Sequence, residues 1–222
     1  MRVGWRPALC LAVLLAGCGA ATAPVLRGAA AGYLLGVDQL VAPGFSLDVA
    51  PHTLSAADVA AAGHGVTSEL TAAGLTGAAG EDLFRPVGDL STSNGPVQVG
   101  DTVEEFATAG GAASSYRTDV NRLDALAGST ATSTGALGDA AHAITRTSTS
   151  AAGVAVIEVT VEWRVQNLVN ILVIRGRSGG TRLDDALLLA HRQTVIELGL
   201  ATPTPLPTPS PSPSVRPAPT SS

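Results

Sequence analysis

Residues 154–164 read VAVIEVTVEWR, and this alternation restricts the fold more than any other stretch of the chain. Ala155, Ile157, Val159, Val161 and Trp163 fall on one side of an extended backbone; Glu158, Thr160, Glu162 and Arg164 fall on the other. A helix cannot separate side chains with that period. Residues 165–167 form a turn containing Gln166 and Asn167, and Leu168 to Arg175 follows as a strand apolar on both faces, hence central. Together the two runs predict an antiparallel hairpin. Its apolar faces need a second layer, and the rest of the sequence supplies helices.

Ser55-Ala56-Ala57-Asp58 resembles a capping box with Asp in place of Glu, and predicts an Ala-rich helix that Gly63 and Gly65 weaken or split. Val66 to Ala73 forms a second piece, stopped by Gly74. Ala112, Tyr116, Val120, Leu123 and Ala127 give helical spacing over Ala109–Ala127, with Asp119 on another face. Leu183, Ala186, Leu187, Ala190, Thr194 and Leu198 make a stripe in a last helix opened by Thr181 as N-cap and closed by Gly199. Short strands are expected at Phe45–Val49, at Gly80–Val87 where Pro86 marks an edge or an end, at Val97–Ala107 and at Ala141–Thr149. The expected fold is therefore α+β, an antiparallel sheet packed against helices in a single domain spanning 32–200.

Both ends lie outside that domain. Arg2 and Arg6 precede the nine-residue apolar run Ala8–Ala16, too short to span a bilayer and suited to a signal peptide. Leu15-Ala16-Gly17-Cys18 then resembles the lipobox of bacterial lipoproteins. The resemblance implies a signal peptide over 1–17, lipidation and acylation of Cys18, and a tether over 18–31. The protein would sit on the extracytoplasmic face of the cell membrane, held by acyl chains at about 0.8 kcal/mol per buried methylene. Residues 201–222 hold eight of the 14 Pro residues and are expected to be a disordered Pro/Thr/Ser-rich tail.

All 13 basic residues are Arg, set against 18 acids. Loss of Arg2 and Arg6 with the signal peptide leaves 11 Arg and a charge of −7. Such an acidic chain lacks the basic surface of a nucleic-acid binder. Two Cys residues, one of them inside the apolar run, supply no disulfide scaffold and no Cys-rich metal site.

Leu34-Leu35-Gly36-Val37-Asp38-Gln39-Leu40-Val41-Ala42-Pro43-Gly44-Phe45, Gly138-Asp139-Ala140-Ala141, Trp163-Arg164-Val165-Gln166-Asn167-Leu168-Val169 and the Ala186–Gln193 helix are together similar to segments of small bacterial envelope lipoproteins. These include PknH-type extracytoplasmic sensor domains and LpqN-like lipoproteins. The resemblance implies an α+β domain that binds or senses something outside the membrane. Gln166 stands where that pattern often has Gly, and the Cys pairs of the PknH-type sensor are absent.

Chemistry-bearing motifs are sparse. None of His52, His64, His142 and His191 lies in a metal-ligand or nucleophile motif, and no nucleophile elbow, phosphate loop or dinucleotide fingerprint occurs. No enzyme, metal or cofactor is expected. Asp139 and His142 form the one acid–imidazole pair with suggestive spacing. Asp184 and Asp185 read as first-turn dipole partners, and Glu158 with Glu162 as a solvated stripe. One cluster stands above this background: Arg175, Arg177, Gly179, Gly180 and Arg182 surround a helix start, where backbone amides and guanidiniums together suit an anion. The competing reading gives those glycines to a turn and those arginines to water or to Asp184 and Asp185. Two functions follow, a membrane-anchored domain for an unidentified envelope ligand or protein, or an accessory envelope protein without a small-molecule site.

Overall fold

Seven strands form one wholly antiparallel sheet: β1 Ser46–Thr53, β2 Leu75–Phe84, β3 Gln98–Phe106, β4 Thr130–Thr132, β5 Ala140–Thr149, β6 Ala155–Val165 and β7 Leu168–Arg177. Their spatial order is β1-β2-β3-β7-β6-β5-β4, which puts the apolar strand β7 at the centre, as its composition requires. Four helices, α1 Ala56–Ala61, α2 Thr67–Ala73, α3 Ala109–Asp124 and α4 Leu183–Glu197, complete a single α+β domain. This is a computed structural model and describes residues 25–199. The Leu15–Cys18 box, the signal peptide and the Pro-rich tail lie outside the described residues.

The alternation in β6 sets the two faces. Val159, Val161, Trp163 and Val165 join Leu172 and Ile174 of β7, Val99 of β3 and Ala186, Leu189 and Ala190 of α4 in the larger apolar cluster. On the opposite face, α1, α2 and α3 bring Val59, Leu70 and Ala112 onto Ala78, Phe106 and Val169. α3 approaches α2 closely because position 111 is Gly: a Cβ there would run into the Ala73 carbonyl oxygen. Ser55 caps α1 as its sequence predicts, accepting from the Asp58 amide at 3.2 Å while the Asp58 carboxylate accepts from the Ser55 amide at 2.8 Å.

Several expectations are corrected. Of the two readings of Pro86, the end holds and the edge does not: the strand starts at Leu75, ends at Phe84 and lies inside the sheet, leaving Pro86 beyond it. One edge is β1, whose eight residues are all exposed rather than alternately buried. The strand expected over Leu168 to Arg175 runs on to Arg177, which therefore belongs to β7 rather than to a loop. Arg182, not Thr181, occupies the N-cap of α4; the Thr181 hydroxyl donates instead to the Gly95 carbonyl at 3.0 Å. The packed stripe of α4 is Ala186, Leu189, Ala190, Gln193 and Glu197, so Leu187 flanks the core and Leu198 is exposed.

Packing also begins earlier than Gly32. The Asn167 side chain accepts from the Leu26 amide at 2.7 Å and donates to the Leu26 carbonyl at 3.2 Å and to the Phe106 carbonyl at 3.0 Å. A 3-10 turn, Ala30–Tyr33, then lies on β2 and β3 on the α4 side.

Candidate functional site

α1, α2 and α3 cover only the half of their face near Phe106 and Val169, and the other half is open. Register lays three rows of side chains across it: His52–Gly80–Thr102–Ile171, then Asp82–Gly100–Val173, then Phe84–Gln98–Arg175–Glu158. Glycine at two adjacent central positions leaves a cleft of about 470 Å³, which Asp48, Leu54 and His64 help to wall. A Cβ at Gly100 would stand 3.1 Å from the Asp82 carboxylate, and one at Gly80 would stand 3.1 Å from the Leu54 side chain.

The cleft leans acidic. Its guanidinium, Arg175, pairs with Glu158, with Nη2 at 2.5 Å and Nε donating at 2.6 Å to the same oxygen, while the other oxygen of Glu158 takes Arg146 at 3.3 Å. Asp48 and Asp82 form no salt bridge among the described residues. Burial and the nearby Arg122 push the His64 imidazole down to about 4, so it is neutral at pH 7.

Beneath the helices lies a second polar feature. Glu104 of β3 and Glu162 of β6 flank β7 on the α3 side, both fully buried, and none of their carboxylate oxygens has a hydrogen-bond partner among the described residues. Asp119 of α3 is buried against them and is held by Arg122, which reaches on to Glu69 at 2.8 Å. Desolvation, then the neighbouring carboxyls, push Glu104 and Glu162 well above the ordinary range, and desolvation lifts Asp119 to about 6. Glu162 is thus corrected from solvated to buried, because α3 lies over this face, and Asp119 lies on the buried side of α3 with Ala112 and Leu123 rather than on another face. No group of His, Cys, Asp or Glu among the described residues is arranged to hold a metal ion.

The sequence-predicted arginines do not converge. Arg175 turns to Glu158. Arg177 donates to the Ser93 carbonyl at 2.9 Å and to the Asn94 side chain at 3.1 Å, tying the Gly179–Gly180 turn to the β2–β3 connection. Arg182 pairs with Asp184 at 2.7 Å. His142 pairs with Asp124 at 2.9 Å rather than with Asp139, which pairs with Arg164 at 3.0 Å.

The fold has a solved counterpart. The chain is similar to the extracellular domain of PknH from Mycobacterium tuberculosis, with a TM-score of 0.54 over 75% of this chain and 93% of that one. The two are 13% identical, so the likeness is one of fold. No protein-family model matches the chain, and no curated protein does.

Proposed function

We propose that this protein is a non-enzymatic extracytoplasmic domain that binds a small polar ligand in the cleft over Gly80 and Gly100 and is anchored to the membrane through lipidated Cys18. The cleft carries the reading: two glycines in inner strands give up packing and β-propensity, and the space they leave is lined by hydrogen-bonding side chains. Its charge disfavours phosphates and carboxylates and suits a neutral or cationic ligand. The lipobox resemblance and the likeness of fold to an extracellular domain support the location.

The test is native mass spectrometry of protein purified from its own membrane. Wild type should retain a ligand that Gly100→Val loses, since valine suits a strand and fills the cleft floor. A ligand kept by both would place binding outside the cleft, and retention by neither would favour an accessory protein without a small-molecule site. The anchoring half is tested by Cys18→Ser, which should move the protein from the detergent phase into the soluble fraction.

A further inference from the structure

A second group of carboxyls lies on the other side of the sheet. Asp101 of β3 is paired in register with Glu81 of β2, and both side chains face α4. Glu197, in the last turn of α4, is buried with them. Asp101 joins two segments that also meet through the Arg192 guanidinium, which donates to the Gln39 carbonyl, and through apolar packing: its Oδ2 accepts from the Leu35 amide at 2.9 Å, and its Oδ1 accepts from the Gln193 side chain at 3.0 Å. One segment is the chain entering the domain, the other the helix that leaves it.

The surroundings contain no balancing cation. β2 contributes Glu81, with Asp82 near it; β7 contributes the buried Asn170 beside Glu197; α4 contributes Gln193 and Glu197; the entering 3-10 turn contributes Tyr33, with Glu105 of β3 near it. No Arg or His among the described residues forms a salt bridge with any of the three carboxyls. The helix C-terminus also opposes a negative charge on Glu197.

We propose that Glu81, Asp101 and Glu197 form a proton-operated latch: protonated, they hold Leu26–Leu35 and the end of α4 on the sheet, and on ionising they repel and release both. Burial supports the working range, raising Glu81 to about 7 and Glu197 to about 9, and raising Asp101 to about 7 against the bonds from Leu35 and Gln193, which favour its ionised form. Because each value lies above that of a solvated carboxyl, the closed state holds the extra protons. Closure is therefore complete in acid and lost as pH rises through these values. The latch does not depend on the cleft having a ligand.

Hydrogen exchange on the folded protein reads it directly, after correction for intrinsic rates. Between pH 5 and 7, protection of the Leu35 amide and of the last turns of α4 should fall about tenfold or more per pH unit. Amides of β6 and β7 should change less. Glu197→Gln and Glu81→Gln should each flatten this dependence, while Glu162→Gln, on the far face, should leave it intact. Should a variant fail to fold, carboxyl NMR titration of wild type replaces it, and the steep loss at Leu35 must ease where Asp101 titrates. Flat protection, equal loss over the whole sheet, or a loss at Leu35 that does not ease there would overturn the latch.

Discussion

The two faces of the sheet bury three carboxyls each and treat them differently. On the α4 side, Asp101 is hydrogen-bonded at the border of a cluster that includes Trp163, Leu172, Ile174 and Leu189, while both Glu197 oxygens and one of Glu81 have no partner among the described residues. On the α3 side, Glu104 and Glu162 lie without partners behind three helices whose cluster is much smaller. Apolar burial contributes roughly 25 cal/mol per Å², and a buried polar group without a partner costs about 1–3 kcal/mol. The α4 face therefore supplies most of the cohesion, and the α3 face most of the tension.

The sharpest way to break this contrast is Leu189→Ala, which should cost about 2–5 kcal/mol in a denaturant titration, because Leu189 is fully buried in the larger cluster. A loss under about 0.5 kcal/mol would move the centre of cohesion elsewhere. The next effect is one of pH. Buried carboxyls stabilise the fold below the pH at which they ionise in the unfolded chain, and that contribution disappears as pH rises through their raised values. Stability should thus decline from pH 5 to pH 8.5. Glu162→Gln should match wild type at pH 5 and exceed it by about 1–3 kcal/mol at pH 8.5. An equal difference at both pH values would mean that Glu162 is stabilised as the anion. The smallest effect is expected at Ser55→Ala, about 1 kcal/mol by thermal melting, because the short α1 depends on its cap more than a fifteen-residue packed helix does.

What the sequence discloses follows local physics. The β6 alternation, the Ser55–Asp58 box and the stop at Gly74 each act within a few residues, and each is found where its pattern lies. Glu162 is different. It occupies a polar position of a clean alternation, and only the helix arriving from residues 109–124 turns that position inward. Asp119 is misplaced for the same reason, since its side of α3 is decided by the face it covers. The cleft escapes inspection because Gly80 and Gly100 are 20 residues apart in sequence and meet only through the β2–β3 register. The Arg-rich stretch shows the converse: its composition suggested convergence, and strand geometry sent Arg175 and Arg177 to different partners.

Asn167 has a bearing on how the molecule would stand. By clasping Leu26 it fixes where the chain enters the domain, at the β6–β7 turn. Cys18 is eight residues upstream, a leash of roughly 29 Å at full stretch. A lipid on Cys18 would keep that turn near the bilayer and leave the domain little freedom to invert. Arg175, eight residues along β7 from the clasp, would then stand roughly 26 Å further along the sheet, and the cleft's outer wall would face away from the lipid.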